Sequence, residues 1–219
     1  MTPSYGAIKA RARAEHLDIF GAFHPTADDG APADCGTLFL LGPHEPGFWA
    51  HFTASAEYTD GTPNPVDRWS RRVVGELATA FNGTALFPFT GPPWHPFLRW
   101  GARSGRAWAS PVELLVHDTA GLLVSYRGAL ALRDQIDLPS PPGSPPCNTC
   151  TDQPCRAACP VNALSSQGYD VPACHDYLTQ TPDTPCLSHG CQVRTACPVS
   201  KTYARDPAQS AYHMKQFHS

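Results

Sequence analysis

Residues 147–160 read CNTCTDQPCRAACP, and this stretch decides how the C-terminal third of the chain can fold. Eight of the nine cysteines lie between Cys147 and Cys197, whereas Cys35 stands alone in the first half. A segment this short and rich in loops cannot build a large hydrophobic core, so covalent cross-links or bound metal are expected to stabilise its fold. The cysteines are the candidate residues for this role.

The cysteines could stabilise this segment in three ways: as disulfides, as zinc ligands or as ligands of iron–sulfur clusters. Disulfides belong to oxidising compartments, but the first residues, MTPSYGAIKARARAEHLD, lack the apolar stretch of a signal peptide. We therefore expect a cytoplasmic protein with reduced thiols. Zinc favours two C-x2-C pairs, and the chain has one, Cys147 and Cys150. Iron–sulfur ligation explains more, because proline follows both Cys159 and Cys197 and Cys-Pro ends the bacterial two-cluster motif.

Two [4Fe-4S] clusters need eight thiolates, and in the two-cluster motif the fourth cysteine binds the other cluster. We predict that the first set is Cys147, Cys150, Cys155 and Cys197. We predict that the second set is Cys159, Cys174, Cys186 and Cys191. The spacing departs from the motif, since four residues separate Cys150 from Cys155 where the motif has two. Cys35 is interpreted as a small buried hydrophobic residue.

A proline-rich segment, PSPPGSPP at 139–146, precedes the cysteine-rich part. Because such a segment is stiff and cannot continue a helix or a central strand, we predict one domain over 1–140 and a second over 141–219. In the first domain helices alternate with strands, which indicates an α/β or α+β fold. The predicted helices are 5–20 and 64–81, and the predicted strands are 37–41, 84–87, 112–116 and 122–132, the last two joined by a hairpin loop at 117–121.

The helix at 64–81 has the clearest signals. Asn64 is a candidate N-cap and Pro65 suits the first helical position, while Asn82-Gly83 is typical of a helix end. Apolar residues recur every three or four positions, which predicts a face directed to the core. That face consists of Val66, Trp69, Val73, Leu77 and Phe81.

Charge and hydropathy argue against two classes of partner. The net charge is −3 and only 16% of residues are charged, whereas nucleic-acid-binding domains normally carry a basic stripe. The apolar runs are far shorter than the roughly 18 residues of a membrane span. We therefore expect neither a nucleic acid nor a membrane as partner.

The cysteine-rich part resembles the two-[4Fe-4S], bacterial-ferredoxin-like module of epoxyqueuosine reductases and reductive dehalogenases. The matching stretches are CHDYLTQ at 174–180 and HGCQVRTACP at 189–198, within a region of about 140–200. In those families both stretches carry cluster ligands. The resemblance implies that cysteines in these stretches are ligands here.

The first part of the chain is similar to the cobalamin-processing family behind methylmalonic aciduria with homocystinuria type C. The similar stretches are NPVDRWSRRVVGELATAF at 64–81 and LLVHDTAGLLVSYRGALAL at 114–132. All these families share a nitroreductase-like α+β domain that holds cobalamin. The resemblance therefore implies a nitroreductase-like domain with a corrinoid site in residues 1–140.

Candidate residues for that site lie in the loop 88–111 and the strand pair after it. They are Trp94, His95, Trp108, His117 and Arg127, which suit a broad, mostly apolar cleft with a few polar groups. His95 can equally be an ordinary loop histidine, and His117 can simply bond the backbone of a turn. Flavin mononucleotide is a weaker alternative, because the chain lacks a glycine-rich loop at a helix start.

The implied function is that of an iron–sulfur oxidoreductase that binds cobalamin and reduces it or removes its upper ligand. A low-potential donor such as a ferredoxin, a flavodoxin or a reductase would supply the electrons. The alternative is a ferredoxin-type electron carrier without a substrate of its own. No catalytic residue is identified from the sequence.

Overall fold

The structure is a computed structural model that describes residues 3–141 and 143–218. The helices are α1 (Tyr5–Ala14), α2 (Phe48–Thr53), α3 (Ala56–Thr59), α4 (Pro65–Ala80), α5 (Phe97–Arg103), α6 (Val171–Gln180), α7 (Pro185–Ser188), α8 (Gln192–Ala196), α9 (Pro198–Thr202) and α10 (Pro207–His218). The strands are β1 (Leu17–Phe23), β2 (Thr37–Pro43), β3 (Thr84–Leu86), β4 (Ala107–Ala109), β5 (Leu115–His117), β6 (Gly128–Leu132), β7 (Leu164–Ser165) and β8 (Gly168–Tyr169). No helix in this part of the chain is long and apolar enough to cross a membrane.

The chain combines helices with small antiparallel sheets, which confirms the predicted mixture of α and β structure. Its assignment to nitroreductase-like and ferredoxin-like folds stays a prediction. Pro142 of the predicted linker lies outside the described residues, as do Met1, Thr2 and Ser219 at the ends of the predicted domains.

Two compact units divide the chain. The first comprises Met1–Arg106 and Ser125–Gly143, and the second comprises Ala107–Val124 and Ser144–Ser219. The second unit thus contains residues 107–124, which the sequence analysis placed in the first domain. The physical reason is their packing: Val112, Val116 and Leu122 share a buried cluster with Cys155, Leu164, Val193 and Cys197.

The first unit is built on a four-stranded antiparallel sheet with the order β1-β2-β6-β3. Every residue of the two inner strands is buried, from Thr37 to Pro43 and from Gly128 to Leu132. Their register pairs Thr37 with Leu132 and Leu41 with Gly128. Strands buried on both faces need apolar side chains at nearly every position, which explains the runs TLFLLG and GALAL.

Helix α4 confirms the predicted helix at 64–81. Trp69 is fully buried, and Phe48 and Phe52 meet its ring edge to face at 5.3 and 6.1 Å. Asn64 precedes the helix as predicted, but its φ is 56° and its side chain makes no capping hydrogen bond. Instead the Asn64 carbonyl accepts a hydrogen bond from the Arg68 amide at 3.0 Å.

Three other predictions need correction. The predicted helix 5–20 ends at Ala14, because His16 adopts a left-handed φ of 52° and the apolar residues after it pair as β1 with β2. The predicted loop 88–111 contains α5 and β4. The predicted hairpin of 112–116 with 122–132 is absent from the described residues, since β5 pairs with β4 and β6 joins the four-stranded sheet.

The end of the pairing between the inner strands β2 and β6 generates a stability prediction. The Gly36 amide donates to the Leu132 carbonyl at 2.7 Å, and a methyl group at Gly36 would overlap the Arg133 carbonyl. We expect Gly36→Ala to lower the unfolding free energy by about 1–3 kcal/mol, because the clash is with backbone that cannot rotate away. Urea denaturation followed by circular dichroism measures this change.

Gly75 in α4 is the matched control. Nothing lies within 4 Å of a methyl group placed there, so Gly75→Ala should raise the unfolding free energy by about 0.5–1 kcal/mol through helix propensity. Equal stabilities for the two variants would contradict the described position of Gly36.

Candidate metal centre

A cavity of about 530 Å³ in the second unit is lined by all four cysteines of the first set. Val116 and Leu122 contribute apolar walls, and Asp152 and Lys201 contribute charged groups. The volume is within the range of pockets that enclose a small ligand or cofactor. The structure therefore brings together Cys147, Cys150, Cys155 and Cys197, as the sequence analysis grouped them.

Prolines position these cysteines. Pro146 and Pro154 each begin a short 3-10 helix, and the next residues are Cys147 and Cys155. Cys197 ends α8 and precedes α9 with an extended ψ of 127°. Proline disfavours helical backbone at the residue before it and suits the first position of a helix. Pro198 thus holds Cys197 at the bend between two helices, which gives the Cys-Pro element a local physical basis.

Burial and crowding make two thiols of the first set, Cys147 and Cys155, hard to ionise. Burial raises the pKa of Cys147, and the charges of Cys155, Cys197 and Cys150 raise it further. Burial also raises the pKa of Cys155, with Cys197 and Cys150 adding to the effect. Thiolates that repel one another in one cavity are stabilised by a cationic centre among them. The chemistry of this donor set therefore fits a metal cluster.

The second set is distributed over the C-terminal helices. Cys174 lies on α6, Cys186 on α7, and Cys191 caps α8. Burial raises the pKa of Cys174, and the charges of Cys159 and Cys186 act in the same direction. Burial likewise raises the pKa of Cys191, with a contribution from Cys186.

The interactions between cysteines follow the predicted partition. In the described residues, every cysteine–cysteine interaction that shifts one of these pKa values joins two members of the same set. All nine cysteines are free thiols. No group of three or more His, Cys, Asp or Glu side chains that could hold a metal ion is found in residues 3–141 and 143–218. In a [4Fe-4S] cluster each thiolate binds a different iron, so the sulfurs surround the cluster and do not converge on one ion.

Leu122, which directly follows the predicted loop at 117–121, lines the first-set cavity, and the sequence analysis missed this placement. The Leu122 amide donates to Ser200 Oγ at 3.0 Å, and Arg194 Nη1 donates to the Leu122 carbonyl at 2.7 Å. Arg205 Nη1 donates to the Leu123 carbonyl at 3.0 Å. These bonds join residues 72 to 82 positions apart, so local sequence patterns carry no signal for them.

His117 has a structural role in this loop. It is fully buried, and its Nδ1 accepts hydrogen bonds from the amides of Thr119 and Ala120 at 3.1 and 3.2 Å. Asp118 Oδ1 also lies 3.2 Å from Nδ1. We favour a neutral ring over an ion pair, because two amide donors occupy the Nδ1 lone pair. The interpretation of His117 as a backbone-bonding turn residue is thus the better supported one.

The five predicted corrinoid contacts are divided between the units. Trp94, His95 and Arg127 belong to the first unit, and Trp108 and His117 belong to the second. Trp94 is 63% exposed, and the His95 ring stacks on Trp100 with centroids 5.6 Å apart.

The other two predicted corrinoid contacts, Trp108 and Arg127, each lie beside residues of their own unit. Trp108 packs against the buried cluster of the second unit. Burial raises the pKa of Asp67, and the nearby guanidinium of Arg127 opposes that shift. Neither unit by itself brings the five residues to one place, and the corrinoid site stays a prediction.

Cys35 lines a smaller cavity of about 180 Å³ in the first unit, beside Asn82, Leu132 and Arg133. The residue is half-buried, whereas the sequence analysis expected it to be buried. Burial raises the pKa of its thiol to about 11. Its neighbours include none of the eight clustered cysteines.

The raised pKa of Cys35 generates a prediction about its reactivity. Only the thiolate is nucleophilic, so alkylation of Cys35 by iodoacetamide at pH 8 should be at least about tenfold slower than in urea-unfolded protein, whose thiol titrates near pH 8.5. The rate should keep rising with pH beyond pH 9. Peptide mass spectrometry of timed samples measures it, and a plateau at pH 9 in folded protein would contradict the expectation.

Comparison with known proteins found no match among protein-family models, curated proteins or solved structures.

Proposed function

We propose that the second unit binds two [4Fe-4S] clusters, one at each cysteine set, and that the protein is an oxidoreductase that transfers single electrons. The observation that carries the proposal is the cavity lined by Cys147, Cys150, Cys155 and Cys197. Mutual repulsion of these buried thiolates supports it further, because a cationic cluster relieves that repulsion. When bound, such clusters accept and release single electrons at low potential.

The residues around the first set have definable tasks. The four cysteines provide one thiolate per iron. Val116 and Leu122 supply the apolar walls of the cavity and limit the access of water, which affects the reduction potential of a cluster. Ser200 and Arg194 hold the backbone of Leu122 in place.

The proposed electron acceptor is a corrinoid bound by the first unit. Its support is the resemblance of residues 64–81 and 114–132 to the cobalamin-processing family. Helix α4, which contains most of the first stretch, packs in the first unit against strand β6, which contains the last five residues of the second. Of the candidate residues, Trp94, His95 and Arg127 lie in that unit. A low-potential ferredoxin, flavodoxin or reductase is the proposed donor.

A second candidate function is a ferredoxin-type carrier that has no substrate of its own. The observation that favours it is the structural role of two predicted corrinoid contacts, since His117 accepts hydrogen bonds from its own turn and the His95 ring stacks on Trp100. Binding of cobalamin separates the two functions.

Metal analysis tests the clusters. After anaerobic reconstitution we expect about eight iron and eight acid-labile sulfide per chain, because eight thiolates suit two [4Fe-4S] clusters. Cys150→Ser should lower both contents by about half, since it removes a ligand of the first set. Cys35→Ser is the matched control and should leave both unchanged. Stoichiometric zinc without sulfide would overturn the proposal.

Cobalamin binding tests the acceptor. Titration with Co(II)-cobalamin, followed by electron paramagnetic resonance, should show the lower dimethylbenzimidazole displaced from cobalt at saturating protein. Reduction of the bound cobalamin by a low-potential donor should proceed without glutathione and slow in Cys150→Ser. An unchanged spectrum of free cobalamin, with both clusters present, would favour the carrier function.

A further inference from the structure

Two sulfurs of the second set accept hydrogen bonds from this chain. The Ala163 amide donates to Cys159 Sγ at 3.2 Å, and Gln192 Nε2 donates to Cys186 Sγ at 3.7 Å. Hydrogen bonding from the Tyr169 side chain acts against burial and lowers the pKa of Cys174. A main-chain amide, a carboxamide and a phenol thus each favour negative charge at a sulfur of this set.

Cys191 differs from the other three sulfurs in having a cation beside it. It lies at the N-cap of α8, and the guanidinium of Arg194 interacts favourably with its negative charge. Arg194 is held in place because its Nη1 also donates to the Leu122 carbonyl at 2.7 Å. A fixed positive charge therefore lies near this sulfur.

The first set has fewer such donors. In the part of the chain that the structure describes, the hydrogen bond found at a first-set sulfur comes from the amide of Cys155 itself. Arg156 contributes positive charge near Cys155, and Lys201 lines the cavity together with the acidic Asp152. Lys201 is exposed, so water and salt screen its charge.

This asymmetry has a consequence for redox chemistry. A reduced cluster carries one more negative charge than an oxidised one, so hydrogen bonds to its sulfurs and nearby cations stabilise the reduced state and raise the reduction potential. Resting on the proposed function, we infer that the second set holds the cluster of higher reduction potential. The first electron added to the loaded protein then resides at the second set.

The test uses two substitutions that each remove one donor. Tyr169→Phe removes the hydroxyl and keeps the ring, which stacks on Phe217 with centroids 6.1 Å apart. Gln192→Leu removes the carboxamide beside Cys186. Redox titration of reconstituted full-length protein, followed by electron paramagnetic resonance, should show two separate midpoints in the wild type. The double variant should lower only the upper midpoint, by about 59 mV, which is tenfold in a one-electron equilibrium.

Tyr177→Phe is the matched control. Tyr177 lies on α6 with Cys174, but its hydroxyl bonds Thr184 Oγ1 at 2.8 Å, so both midpoints should stay unchanged. A single midpoint for both clusters would overturn the inference, as would a shift of the lower midpoint or no shift in the double variant. In these cases iron and sulfide contents near eight would leave the proposed function standing, whereas loss of sulfide from the wild type would overturn both.

Discussion

Buried thiols that share one cavity impose the main constraint on this protein. A thiol must lose its proton to bind metal, yet burial and the charges of neighbouring sulfurs oppose that loss at Cys147 and Cys155. Several elements of the second unit are short, since β7 and β8 have two residues each and α7, α8 and α9 have four or five. Binding of a cationic cluster would therefore contribute directly to the folding of this unit.

The cavity also depends on residues far from it in sequence. Val116 and Leu122 form part of its wall, although they precede the first cysteine of the set by more than twenty positions. Ser200 and Arg194 bond the backbone of Leu122. The site is thus made from a central segment and the C-terminal part of the chain.

Elements with strong local signals were predicted well from the sequence. The apolar face and flanking residues of α4 indicated its limits to within one residue at each end, and the run TLFLL indicated β2. The two cysteine sets were predicted from spacing and the Cys-Pro elements, and the four members of the first set line one cavity.

Elements that depend on distant contacts were missed. Leu122 and Leu123 have the composition of a strand, but Ser200, Arg194 and Arg205 bond their backbone. Tyr169 and Gln192 carry no pattern that marks them as donors to sulfur. Their role follows only from where the chain places Cys174 and Cys186.

The position of residues 107–124 affects how this protein is made. Leu122 leaves the ribosome 78 residues ahead of its partner Ser200. At a synthesis rate of about 5–20 residues per second, that delay is roughly 4–16 s. During this time Val112, Val116 and Leu122 already exist in the nascent chain, but the later residues of their buried cluster have not yet been synthesised. The nascent chain therefore presents apolar surface until its last helices emerge, which makes this stage of synthesis the one most open to chaperone binding or aggregation.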